Sequence, residues 1–234
     1  MIFHTISNTL KNILKVCMFE NMSKWATNNK PAIILICIGL FIQLLYLMQP
    51  SSNLLWYDTV SFISGFLGVF AVVLCSNRKL ISYAFGIAQI LTFLVIVWHD
   101  ALYAKIAENI FYLITMIIGI FIWNNHYDDD KVETKCLSNK MLIILITVTT
   151  VLSFIIGYGL SFTSDTHPYI DAFTTLPAFV AQILMILRYR EQWIFWILID
   201  IGCIGLWMAV GNNAMVAQYM FWTINCVYGW KNWK

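Results

Sequence analysis

A helix that crosses a bilayer needs about 20 mostly apolar residues at a rise of 1.5 Å each. Eight stretches of this chain meet or approach that length: residues 31–48, 57–75, 80–98, 102–123, 140–161, 170–188, 193–210 and 213–230. Every gap between them holds turn or polar residues, among them Gln49-Pro50-Ser51-Ser52-Asn53, Ser76-Asn77-Arg78-Lys79, His99-Asp100, the stretch from Asn124 to Asn139, Ser164 to Pro168, Tyr189 to Gln192 and Gly211-Asn212-Asn213. A soluble domain is about a quarter charged and under half apolar. Here 60% of the 234 residues are hydrophobic and 11% charged, with a mean hydropathy of +0.75. The expected solvent for so much apolar surface is the lipid bilayer. A net charge of +2 without a basic stripe excludes nucleic acid as a partner.

Residues 1–30 read as a tail rather than a cleaved signal, because Lys11, Lys15, Lys24 and Lys30 interrupt them and no small-residue cleavage site follows an apolar core. Ile13, Leu14, Val16, Cys17 and Phe19 within it fit an interfacial amphipathic helix. Cytoplasmic loops are enriched in Lys and Arg, which tests the segmentation independently of hydropathy. With the amino terminus inside, thirteen of the fourteen basic residues fall on the inner side, and Lys105, just within the fourth span, is the exception. The expectation is therefore a multi-pass protein of the inner cell membrane with both termini in the cytoplasm. None of the six cysteines falls in an outer loop or forms a CxxC pair, so they read as free thiols. His126 with Asp128-Asp129-Asp130 reads as a solvated charge run rather than a metal site, and no G-x-x-x-x-G-K-[ST] motor motif is present. No cofactor is expected.

Spans two to four and six to eight share landmarks in one order. Asp58 and Asp171 open the sets, and the corners Asn77-Arg78-Lys79 and Arg188-Tyr189-Arg190-Glu191 follow. Next come Tyr83 with Gly86 and Trp193 with Trp196, and the sets close on Gly119 to Asn124 and Gly229 to Lys234. The first landmarks are 113 residues apart and the last 110, which places a three-residue difference in the corner loops. The fold class expected is all-α: two parallel three-helix bundles (57–123 and 170–230), a linker helix (140–161) and an extra first helix (31–48). Carriers built from repeats hold substrate near the midplane. Pro168 and Pro177, with glycines 86, 202, 205 and 229, would permit close packing or bending where bundles move.

An ionisable group at membrane depth costs about 2.5 kcal/mol or more, so it reads as functional. Trp193, Trp196 and Asp200 are spaced i, i+3, i+7 and share a helix face. Gln218, Trp222 and Asn225 repeat the logic at i, i+4, i+7, with Tyr228 beyond. Glu108, Tyr112 and Thr115 form the matching stripe in the fourth span, with Asn109 beside it, and Gln89 sits mid-depth in the third. Rings stack on a flat heterocycle and attract a cation by about 0.5–2 kcal/mol each. Carboxamides match an amide or ribose hydroxyls, and the acid balances a fixed positive charge. Competing readings stand beside these. Trp230 and Trp233 fit an interfacial belt, and Trp193 fits belt or ligand. Gln43 and Gln182 fit interhelical pairing, Glu108 an i, i+3 pair with Lys105, and Asp58 and Asp171 helix caps. The rival from another class is an intramembrane enzyme using Asp200 and Glu108.

Three phrases carry a resemblance: Tyr169-Ile-Asp-Ala-Phe-Thr-Thr, Ala181-Gln182-Ile-Leu-Met, and Glu191-Gln-Trp193-Ile-Phe-Trp196-Ile-Leu-Ile-Asp200. Tyr83-Ala-Phe-Gly86, Leu102-Tyr103-Ala104 and Gly229-Trp-Lys-Asn-Trp233 agree with them. Over residues 57–234 the chain resembles the PnuC-type nicotinamide riboside transporters. The resemblance implies a fold related to the SWEET sugar transporters and facilitated uptake of nicotinamide riboside, a vitamin B3 precursor of NAD, with a separate cytoplasmic kinase trapping the product. It also implies that Trp193, Trp196 and Tyr228 hold the nicotinamide ring and ribose, with Gln89, Asn225 and Asp200 as polar partners. Thiamine, also a cationic aromatic vitamin, satisfies the same residues. Oligomeric state, a homo-oligomer included, is left open.

Overall fold

The polar punctuation of the sequence becomes helix ends. The structure, a computed structural model, describes residues 25–48, 54–101, 103–128, 130–163 and 168–234. The amphipathic stretch of the tail, Cys17, the turn 49–53, Leu102, Asp129 and the loop 164–167 lie outside the described residues. Among the described residues there are eight helices of 18 to 22 residues: α1 Lys30–Leu47, α2 Leu55–Ser76, α3 Ser82–His99, α4 Tyr103–Asn124, α5 Asn139–Leu160, α6 Pro168–Ile186, α7 Gln192–Val210 and α8 Asn213–Asn232. Five of them, α2 to α6, are long and apolar enough to cross a membrane, and the described parts of α1 and α7 are apolar but shorter. Large apolar side chains face outward, as on α5, where Ile143, Phe154, Ile155 and Tyr158 are each more than half exposed. Polar side chains turn inward: Gln43, Ser64, Glu108, Gln182, Asp200 and Asn225 are buried. That inversion of the soluble pattern is what a lipid solvent selects.

The chain divides into two compact units, one ending at Glu133 and one beginning at Thr134. In the first, α1 packs on α2, α2 on α3 and α3 on α4. In the second, α5 packs on α6, α6 on α7 and α7 on α8. Each unit thus holds four helices in sequential contact, and α5, expected as a linker, packs as a member of the second unit.

Both units turn their inner corner in the same way. Arg78 (φ 60°) and Arg188 (φ 70°) adopt the left-handed conformation that usually requires glycine. The Arg78 N–H donates to the Cys75 carbonyl at 2.8 Å and the Lys79 N–H to Leu74 at 3.0 Å. The Arg188 N–H donates to Met185 at 3.0 Å and the Tyr189 N–H to Leu184 at 2.8 Å. These bonds form the same double closure of a helix end, 110 residues apart. The equal corners correct the expectation that the corner loops differ in length. Asp58 lies 18 residues before the end of α2 and Asp171 lies 15 before the end of α6, so the three-residue difference is inside the helices.

The gap from Asn124 to Asn139, with His126 and Asp128-Asp129-Asp130 expected to form a solvated charge run, contains a small hairpin: β1 (Tyr127–Asp128) pairs antiparallel with β2 (Lys131–Val132). The Tyr127 hydroxyl donates to the Asp130 carbonyl at 2.9 Å, Asp130 forms an ion pair with Lys79, and the Val132 N–H donates to the Arg78 carbonyl at 3.0 Å. Asp130 and Val132 therefore tie the hairpin to the corner. Burial raises the phenol pKa of Tyr127, with the adjacent Asp130 carboxylate adding to the shift.

Gly211 ends α7 in the left-handed region (φ 78°), and a Cβ added there would meet open space. Gly211→Ala therefore adds backbone strain alone, expected to cost about 1 kcal/mol. It should lower the thermal midpoint of the detergent-purified protein, and an unchanged midpoint would contradict the assigned conformation.

Candidate substrate-binding site

In the second unit, the α7 face expected from spacing is built around a buried acid. Asp200 lies about 12 Å into α7 at 1.5 Å per residue and is buried. The Cys226 thiol of α8 donates to Asp200 Oδ2 at 3.7 Å, and Asn225, next to Cys226, is buried. Among the described residues no Lys, Arg or His lies within ion-pair distance of Asp200. Tyr219 of α8 lies near Cys203 and Asp200. Trp196, one turn nearer the start of α7, is half-buried against the cluster of Ala181, Leu184 and Phe195. Gln218 is buried, and Trp222 and Tyr228 are half-buried.

Trp193 is placed differently from Trp196. It is 3% exposed, and its ring lies so close to Gly229 that a Cβ there would sit 2.5 Å from it. It meets Trp233 edge-on at 5.7 Å and 86°. The first unit repeats this packing at the equivalent positions, with Tyr83 edge-on to Trp123 at 4.9 Å and 87°. Trp123 and Trp233 are fully buried, which corrects the interfacial-belt reading of Trp233. Trp230 carries the Arg190 guanidinium over its ring at 3.6 Å and accepts at its carbonyl from Arg190 Nε at 2.8 Å.

In the first unit, Glu108 is held from both sides within α4. Lys105 Nζ donates to Oε2 at 2.7 Å and the Tyr112 hydroxyl to Oε1 at 2.8 Å. The Lys105 pair weighed from spacing is thus present. Asn109 donates to the Lys105 carbonyl at 2.8 Å and the Thr115 hydroxyl to Phe111 at 2.9 Å. Gln89 of α3 donates through Nε2 to Ser64 Oγ at 3.4 Å, and the Ser64 hydroxyl reaches the Gln89 carbonyl at the same distance. Ser64, Cys226 and Tyr219 were not singled out from sequence, although polar residues at membrane depth are the signal that marks them. Asp58 and Asp171 sit in first turns rather than at cap positions; the α2 cap is Leu54. Gly86 faces Met116, whereas Gly202 and Gly205 have nothing within 4 Å of an added Cβ among the described residues. No cluster of three metal-ligating side chains occurs among the described residues.

At the end of α3, outside the apolar span, the Tyr57 hydroxyl donates to Asp100 Oδ2 at 2.6 Å and His99 Nδ1 lies 2.9 Å from Oδ1. The Tyr57 hydroxyl first, and His99 second, hold the Asp100 carboxyl below its usual range.

The sequence profile of the family described as nicotinamide mononucleotide transporter matches residues 58–234. The chain belongs to this family of PnuC-type membrane transporters. The protein named nicotinamide riboside transporter PnuC of Haemophilus influenzae is 34% identical over 193 residues, covering 80% of this chain and 82% of the relative. Its namesake in Neisseria mucosa is 27% identical over 201 residues, covering 80% and 74%. The crystal structure titled as the vitamin B3 transporter PnuC shares the fold, with a TM-score of 0.70 at 24% identity over 86% of this chain and 89% of that one. Membership in a carrier family sets aside the intramembrane-enzyme reading. The geometry agrees, since Glu108 is engaged by Lys105 and Tyr112 within its own helix.

The packing of Trp193 on Gly229 generates a prediction. Gly229→Ala forces the indole to move and is expected to destabilise by about 1–3 kcal/mol. Chemical or thermal unfolding in detergent measures it, and a midpoint equal to wild type would show that the two do not pack.

Proposed function

We propose that this protein carries nicotinamide riboside across the cell membrane. The observation that carries the reading is Asp200, a buried carboxyl beside a thiol, with no cationic side chain in reach among the described residues. Glu108 has its own ammonium partner in Lys105, so Asp200 is the acid that a pyridinium cation would satisfy. Ring contact from Trp196, Trp222 and Tyr228 and hydrogen bonding from Gln218 and Asn225, all in the second unit, suit a nicotinamide carboxamide and ribose hydroxyls, and Gln89 of the first unit offers a carboxamide of the same chemistry. The name carried by the curated relatives supports the same substrate.

The family description names the mononucleotide, which adds a phosphate. Lys and Arg side chains of the described residues stand at helix ends and in loops, as Lys30, Arg78, Lys105, Lys140, Arg188 and Lys231 do. A phosphate dianion at the depth of Asp200 would meet like charge and no base, which favours the riboside. Thiamine is the second reading, favoured by the same acid and rings, but it lacks the carboxamide and ribose that Gln89 and Asn225 suit. The remaining parts of the proposal are eight spans with both termini in the cytoplasm of the inner membrane, alternating access without ATP hydrolysis, and trapping by a cytoplasmic kinase. The distribution of basic residues supports the orientation and the absence of a motor motif supports transport without ATP hydrolysis, while alternating access and trapping rest on the family resemblance.

Thermal unfolding of detergent-purified protein with nicotinamide riboside, its mononucleotide, nicotinamide, thiamine and riboflavin tests the assignment. A ligand at a hundredfold excess over its Kd stabilises by about 2.7 kcal/mol. The riboside is expected to give the largest shift, and a shift with thiamine and none with the riboside would overturn the proposal. Asp200→Asn is expected to weaken riboside binding by about 30-fold or more, because a buried charge loses its partner. Undiminished binding by that variant would remove Asp200 from the site.

A further inference from the structure

Helix α1 lies outside the matched family region, which begins at residue 58, yet it packs on α2 and one of its buried side chains is polar. Gln43 of α1 is buried, and its carboxamide rests on the bare Cα of Gly65 in α2. A Cβ at Gly65 would lie 2.0 Å from Gln43 Oε1 and 2.6 Å from Cδ. No side chain fits there, so glycine at 65 and the carboxamide at 43 form a matched key and notch.

The residue before the notch is Ser64, also buried. Its hydroxyl stands between two atoms of Gln89, reaching the backbone carbonyl and accepting from the side-chain Nε2, each at 3.4 Å. The Thr92 hydroxyl donates to the same Gln89 carbonyl at 2.8 Å. Ser64 thereby meets both the backbone carbonyl and the carboxamide of Gln89, so its position bears on which way that carboxamide points. Both bonds are already longer than the usual range of about 2.7–3.2 Å, so a helix moved away by a fraction of an ångström would lose them.

We propose that Gln43 is a positioning residue of the carrier: seated on Gly65, it fixes the height of α2 against α1 and, through Ser64, the orientation of Gln89 toward substrate. The inference rests on the riboside reading of Gln89 given above. It gives α1 a role in recognition at a distance from any ligand contact of its own.

A double-mutant cycle on the purified full chain tests it, reading the Kd for nicotinamide riboside in wild type, Gln43→Leu, Gln89→Leu and the pair. Gln43→Leu is expected to weaken binding about fivefold alone and less than twofold in the Gln89→Leu background, because residues acting through one another are not additive. Gly65→Ala should behave as Gln43→Leu does; if it fails to fold, Ser64→Ala carries the same cycle with a smaller change. A full fivefold effect of Gln43→Leu in the Gln89→Leu background, or none in either, overturns the positioning role. Wild-type protein that unfolds cooperatively but binds no riboside would instead bring down the carrier reading, and this inference with it.

Discussion

Hydrocarbon offers no hydrogen bonds, so every polar group at membrane depth has to find its partner inside the protein or in a ligand. The helices follow from that demand, because only an α-helix satisfies its own backbone along its length. The side chains follow too. Glu108 takes Lys105 and Tyr112, Gln89 takes Ser64, and Thr92, Thr115 and Thr223 donate back to carbonyls one turn earlier. Asp200 is held differently from Glu108: its partner is a thiol at 3.7 Å, where Glu108 has an ammonium and a hydroxyl at 2.7 and 2.8 Å. A group held that way in lipid is costly unless something else completes it, which is the physical reason for treating α7 and α8 as the recognition layer.

The two units repeat one local design. Each turns its inner corner on a left-handed arginine closed by two backbone bonds, and each sets an aromatic ring edge-on to a buried tryptophan, Tyr83 on Trp123 and Trp193 on Trp233. On that scaffold the chemistry diverges. Position 108 is Glu where its counterpart 218 is Gln, 112 is Tyr where 222 is Trp, and 115 is Thr where 225 is Asn. A duplicated frame with unlike side chains lets one repeat neutralise its acid internally, while the proposed site uses the acid of the other for a cation.

Much of this was legible in the sequence, and the reason is the bilayer. Lipid forces about 20 apolar residues per span, so helix positions and their polar breaks stand out without any knowledge of packing. The stripes Trp193, Trp196, Asp200 and Gln218, Trp222, Asn225 were equally visible, because helical spacing assigns a face. What spacing cannot give is the partner on the next helix. Ser64 looks like any small residue until Gln89 is seen against it, and Cys226 until Asp200 is. Trp193 shares the face of Asp200 by periodicity, yet the missing Cβ of Gly229 draws its ring into the unit. The three-residue difference between repeats was misplaced for a similar reason: sequence separation counts residues and does not show whether they lie in a helix or a loop.

The central claim is that the chain moves nicotinamide riboside down its gradient without an energy source. Uptake of labelled riboside into proteoliposomes holding only this protein, with no ATP and no ion gradient, tests it most directly. The account predicts saturable entry that unlabelled riboside competes and the mononucleotide does not. Entry no faster than into protein-free vesicles, or entry that requires ATP, would contradict it.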